Sequence, residues 1–264
     1  MVTHTIVLVL CSGYGFNPGS ALLLGIEESG KVGSLAAVNT SLSAAAGAVT
    51  ALFTNLYLEE RKTGDYSFNL TMAMNGLLGG LVGITAGAAT VEPWGACFIG
   101  MVSGWIYIAG SSLLLKWKID DAVDAIPVHF FNGAWGLIAT GLLSSPGRMQ
   151  TAFGTQEHMG WFYSVGRGNM DFQLLCNQFV ALLFLIGWPL VTMTPFFIWL
   201  NYMGWLRADS LEELVGLDMS YHGGTHQKND TDDEVNEDDM KSFLERKNPG
   251  GIARTMSDGD FGDD

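Results

Sequence analysis

Six stretches of this chain are apolar for long enough to cross a lipid bilayer, and that limits the fold more than any other feature. They run over residues 5–24, 32–58, 68–89, 93–115, 122–143 and 172–206. A span needs about 20 mostly apolar residues. In hydrocarbon every backbone N–H and C=O must be satisfied within the protein, which leaves helices for runs of this kind. The expected fold class is therefore all-α, a polytopic transmembrane helix bundle. The last run is too long to cross upright, and Pro189 and Pro195 within it predict a kinked, tilted helix. The first run lacks the basic start and the small-residue cleavage site of a signal peptide, and it continues through Ala21–Leu24, so it reads as a span.

Charge separates the bundle from the tail. Charged residues make up only 15% of the chain, yet Arg207 to Asp264 hold sixteen acidic and six basic ones, or −10 of the net −14. The chain thus divides into three regions: a transmembrane body over residues 1–206, a tail segment over 207–224 with apolar Leu211, Leu214, Val215 and Leu217, and an acidic, aromatic-poor stretch over 225–264 expected to be disordered. Basic residues lean to one side of the bundle: Arg61, Lys62, Lys116, Lys118 and Arg207 against Lys31, Arg148 and Arg167. That bias places the chain start and the acidic tail on the inner side. No basic patch suggests nucleic acid. Cys11, Cys97 and Cys176 lie in apolar runs without metal-ligand spacing and read as packed thiols. No nucleophile–base pair, metal cluster or phosphate loop is visible, so neither an enzyme nor a cofactor is expected.

The spans are rich in small residues. Gly79, Gly83 and Gly87 recur every four residues in the third, Gly100 and Gly104 in the fourth, and the second contains SLSAAAGAVTA. Such faces predict close helix packing.

The fifth span, DDAVDAIPVHFFNGAWGLIATGLL, carries one imidazole, His129, near its middle. An ionisable group at that depth is a functional candidate. Steps of three and four put Ala122, Ala125, Ile126, His129, Asn132, Gly133, Gly136 and Thr140 on one small or polar stripe. A satisfied core histidine is the plainer reading of one such residue; the small neighbours favour a histidine facing a narrow internal path. The second informative stretch is SGYGFNPGS, residues 12–20. Its three glycines and proline predict a broken helix end, and Phe16 and Ser20, four apart, would share a face. A ring beside a hydroxyl suits a compact cation, and a turn with a packed Phe is the alternative.

GYGFNPGS, NGLLGGLVGITAG, the block around His129 and LRADSLEELVGLDMSYHGG together resemble the ammonium transporter family, in order, from about Ser12 to Gly224. The likeness is to its ammonium transporter branch rather than to the Rhesus glycoproteins. That family is an eleven-helix bundle built on an inverted repeat, assembled as a trimer with one pore in each subunit. The six spans here match helices six to eleven, a carboxy-terminal half. The resemblance implies that Phe16 is one of two stacked gate rings at the outer end and that Ser20 belongs to the outer cation site. It implies that His129 is the second of two pore histidines, and that Asp120, Asp121 and Asp124 form the inner start of its helix. Segment 206–224 matches the inner tail that contacts a neighbouring subunit. The other gate ring, the vestibule tryptophan and the first pore histidine belong to the half not matched here. The implied function is ammonium or ammonia transport through a hydrophobic pore in the plasma membrane, with membrane lipid around it. The partners would be a homotrimer, or a hetero-assembly with full-length subunits. The alternative is a non-conducting subunit that joins full-length transporters and modulates them.

Overall fold

The computed structural model describes residues 13–20, 28–64 and 66–207. The described residues are helical apart from turns and a single antiparallel bridge between Val91 and Ser144. Residues 13–20 are helical (α1). Next come α2 (Ser29–Thr63), α3 (Leu70–Thr85), α4 (Pro93–Trp117), a π-helical turn (Ile126–Phe131) running into α5 (Asn132–Leu143), and short α6 (Pro146–Phe153) and α7 (Trp161–Gly166). The last described helix is α8 (Gln173–Tyr202).

Four of these helical segments are long and apolar enough to cross a membrane: α2, α4, the π turn with α5, and α8. The first expected span lies mostly outside the described residues. The third is shorter than expected. α3 has 16 residues, about 24 Å at 1.5 Å per residue, and the chain then turns over residues 86–90. Non-helical backbone inside a bundle needs partners. Fully buried Asn39 of α2 supplies them, its Nδ2 donating to the Ala88 carbonyl at 2.9 Å and the Val91 carbonyl at 2.7 Å.

Local sequence sets the helix ends. Asn69 caps α3 by accepting from the Thr71 and Met72 amides at 3.0 and 3.3 Å. Pro93 opens α4, where a missing N–H costs nothing. α2 stops at Gly64, whose φ of 80° is left-handed, after Arg61 and Lys62 in the last turn.

α2 packs mainly on α3 and α4, and α3 also packs on α5. Small residues make this possible. The Ser43 backbone carbonyl of α2 lies between Gly80 of α3 and Gly100 of α4, so a Cβ on either glycine would strike it. The Ser43 hydroxyl also donates to the Gly80 carbonyl at 2.7 Å. Of the expected stripe, Gly79 and Gly83 lie on α3 and Gly87 in the turn after it, and a second small face of α3 lies beside them. Gly79 and Gly83 face Asn132 and Ser103, whereas Gly76 and Gly80 meet α2. One apolar cluster gathers Ala36, Ile84, Val91, Ile99, Ala139 and Leu143, and a second gathers Ala51, Tyr107, Ile108 and Val128.

Contacts divide the chain into two compact units, Met1–Gly187 and Trp188–Asp264. α8 contains both prolines and stays helical through them, so they do not break it. None of its residues is buried. Cys176 on it is exposed and Cys97 half-buried, so only Cys97 approaches the packed thiol expected; Cys11 is outside the described residues. The tail regions 208–224 and 225–264 also lie outside them.

Candidate functional site

The site is built from the start of the fifth span upward. A helix start leaves its first N–H groups unpaired, and here each is accounted for. The Asp121 carboxylate accepts from the Ala125 amide at 2.8 Å and the Ile126 amide at 2.7 Å. Pro127 has no N–H, and the Val128 amide bonds the Asp124 carbonyl at 3.0 Å. Asp121 is thus a cap. Asp124 is an anchor: Tyr107 and Ser111 of α4 each donate to its carboxylate at 2.9 Å, and Asn75 of α3 reaches it at 3.4 Å. Asn75 also donates to the Tyr107 hydroxyl at 3.1 Å. Asp124 holds a left-handed φ of 55° to do this, a strained conformation for a residue with a Cβ. Among the described residues no Lys or Arg forms an ion pair with Asp120, Asp121 or Asp124. Asp120 is exposed.

Above this anchor the chain makes the π turn, Ile126–Phe131, and His129 lies within it. A π turn holds one more residue than an α turn, which rotates the chain on one side of it by about 100° relative to the chain on the other. The single stripe expected from the spacing does not survive that shift. Asn132, Gly136 and Thr140 are buried, Ile126 and Gly133 are half-buried, and Ala122, Ala125 and His129 are exposed. The imidazole stands on the open side of the described chain, while Val128 beside it is 2% exposed and Asn132 is 0% exposed. Phe131 turns inward onto Gly110 of α4, and Phe130, 5.5 Å from it between ring centroids, turns outward.

The residues 13–20 are helical throughout, so no break falls inside GYGFNPGS. Polar side chains hold α1 in place. Buried Asn17 donates to Thr40 of α2 at 2.9 Å, and the Tyr14 hydroxyl bonds Ser41 at 2.7 Å. Phe16 and Ser20, four apart on this helix, are both exposed, Phe16 at 61%. α1 reaches α3 at Leu81, and the turn after His129 reaches α3 at Val82 through Gly133. Phe16, Ser20 and His129 therefore belong to helices that flank the same part of α3.

The opposite end of the fifth span is tied by charge. Arg148 of α6 makes a two-pronged ion pair with Glu92, 3.0 Å on each arm, and its guanidinium holds the Glu92 carboxyl below the usual range. Burial pushes the nearby Tyr163 phenol up. His158 meets Asp171 at 3.1 Å. The Gln173 amide first and His158 second lower the Asp171 carboxyl. Trp161 stacks on Phe172 at 5.7 Å, which ties the short helix α7 to the residue just before α8.

Sequence reasoning did not single out Asn75, Tyr107 or Ser111, because nothing in their own segments marks them. Each becomes informative only where α3 and α4 meet the start of the fifth span.

Comparison with known proteins agrees with the resemblance. The family model described as Ammonium Transporter Family matches residues 6–227. Ammonium transporter 1 member 2 of Arabidopsis thaliana is 39% identical over 230 residues, covering 83% of this chain and 42% of its own length. Ammonium transporter 1 member 1 of Oryza sativa subsp. japonica is 34% identical over 242 residues, covering 88% and 46%. The chain thus spans less than half the length of the curated relatives it matches. The crystal structure of Candida albicans Mep2 superposes with a TM-score of 0.66 at 24% identity, over 89% of this chain and 48% of that one. A structure titled Sensor Amt Protein does so with a TM-score of 0.64 at 25% identity, over 83% and 48%. These solved structures share the helical bundle fold. With its apolar spanning helices and a family match over residues 6–227, the chain is an integral membrane protein that belongs to the Ammonium Transporter Family.

Proposed function

We propose that this chain supplies the carboxy-terminal half of a pore for ammonium or ammonia, with His129 as its mid-span polar group. The observation that carries the reading is the imidazole exposed on a membrane-spanning segment whose neighbours Val128 and Asn132 are buried. A polar ring on an open face of a span has a use when a second wall faces it. Phe16 and Ser20 are the outer gate ring and the outer cation contact: the ring attracts a cation and the hydroxyl accepts its hydrogen. Stripping water from an ion is costly, so an apolar path favours the neutral form. A neutral imidazole then offers ammonia a hydrogen-bond partner inside that path. Asp121 and Asp124 hold the inner helix start, and Asp120 adds negative charge there.

The working assembly is a trimer in the plasma membrane with the acidic tail in the cytoplasm. The test is growth of an ammonium-uptake-deficient cell on limiting ammonium, backed by isotope uptake into vesicles. The chain expressed alone is expected to give no flux, and fusion behind the first half of a relative is expected to restore it. His129→Ala in the fusion should change the flux sharply. Robust uptake by the chain alone would sink the half-pore reading. Unchanged, equally selective uptake by the fused His129→Ala form would remove the role given to His129. A second reading is a non-conducting subunit that joins full-length transporters and modulates them. Co-purification with a full-length subunit, with altered flux but none from the fusion, would favour it.

A further inference from the structure

His129 does not sit in an ordinary helical turn, and the residue that closes its turn is Asn132. Two bonds from Asn132 bracket the histidine. Its side-chain Nδ2 donates to the Pro127 carbonyl at 3.0 Å, five residues back, which is the spacing of a π turn. Its backbone N–H donates to the His129 carbonyl. The side chain is 0% exposed, so these bonds are shielded from water. α3 presses on it from the other side: a Cβ added at Gly79 would lie 2.7 Å from Nδ2. The Asn132 Oδ1 atom has no hydrogen-bond partner among the described residues. Burying an amide with one end unpaired is costly, and a purely packing position would be filled by an apolar side chain.

We infer that Asn132 is a positioning residue: it staples the π turn and so fixes where the His129 ring stands, with Gly79 leaving room for the staple. This rests on the proposed role of His129 only for its consequence in transport. An α turn would pair the Pro127 carbonyl with the Phe131 amide, whereas the Asn132 side-chain amide engages that carbonyl from one residue further along. Losing the staple lets the turn tighten and swings the imidazole round the helix axis.

The test reads the histidine directly, in the full purified chain in detergent, without any flux. Diethylpyrocarbonate modification of His129 is followed by mass spectrometry, with His158 as internal reference. Amide exchange of residues 128–133 is followed in parallel. Asn132→Ala, Asn132→Asp, Gly79→Ala and the Gly79→Ala/Asn132→Ala pair are compared. Asn132→Asp keeps the shape and removes the N–H donor. Gly79→Ala displaces the amide from another helix and alters no polar group. Both single substitutions at Asn132, and Gly79→Ala, should change the His129 rate about two- to tenfold, the span expected for losing one buried hydrogen bond. His158 should be unaffected, and the pair should add nothing to Asn132→Ala alone. A His129 rate and local exchange unchanged in Asn132→Asp and Gly79→Ala would overturn the inference, as would additive effects in the pair. Should Asn132→Ala not fold, the other two singles decide. A shifted rate with unchanged flux through the fused pore would support the staple and count against the transport role of His129.

Discussion

Asp121 and Glu92 show how differently two carboxylates can serve one helical protein. Asp121 meets two backbone amides at the start of the fifth span, so Asp121→Ala leaves both unpaired. Losing a cap costs about 0.5–2 kcal/mol. Thermal unfolding of the purified chain should fall accordingly, with local exchange rising first at Ala125 and Ile126. Glu92 pairs with Arg148 near the surface, where the arginine side chain is 42% exposed. Solvent screening holds such a pair to about 1 kcal/mol or less. Its carboxyl is depressed. The stabilisation is therefore present above the unfolded carboxylate value near 4.3 and is lost as pH falls through the lower folded value. Glu92→Gln should lower the unfolding temperature slightly at pH 7. The difference from the parent should shrink as pH falls below the unfolded carboxylate value and vanish only below the depressed folded one. A difference that persisted there would mean that the pair contributes by shape rather than by charge.

Between helices, glycine decides how close two backbones come. Gly100 of α4 faces the Ser43 carbonyl of α2, and Gly147 of α6 has open space around its missing Cβ. Gly100→Val should therefore cost about 1–3 kcal/mol or more, as overpacking does. Gly147→Ala should stay within about 0.5 kcal/mol, as ordinary surface changes do. Chemical unfolding in mixed micelles would rank them, and equal costs would mean that α2 and α4 can move apart freely. The regular spacing of Gly79, Gly83 and Gly87 announces close packing. It does not say which helix comes close, because residues one position apart on α3 face different neighbours.

Across the whole molecule, the basic residues predict that the turn after α2 lies inside and the segment before α8 outside. The exposed sites Lys62 and Glu157 report on that arrangement. Ser145, in the same outer region, is 6% exposed and would label poorly whatever its side. Glu157→Cys should react with an impermeant thiol reagent in sealed cells, and Lys62→Cys only after permeabilisation. The reverse pattern would invert the bundle and move Asp120, Asp121 and Asp124 to the outer end.

The sequence by itself determined the helical, membrane-spanning class and the membership carried by GYGFNPGS and the His129 block. Each of these comes from runs, spacings or motifs within one segment, which local chemistry dictates. It also marked Asp121 and Asp124 as the acidic start of a helix, without telling the cap from the anchor. Only the tertiary structure decided that, because the distinction depends on Tyr107, Ser111 and Asn75 arriving from two other helices. The shortened α3 was equally hidden, since its early end is supported by Asn39 about fifty residues away in sequence. The stripe through His129 failed for a related reason. A fixed period of 3.6 cannot foresee a π turn, and this one is held by an asparagine that packs against a glycine of another helix.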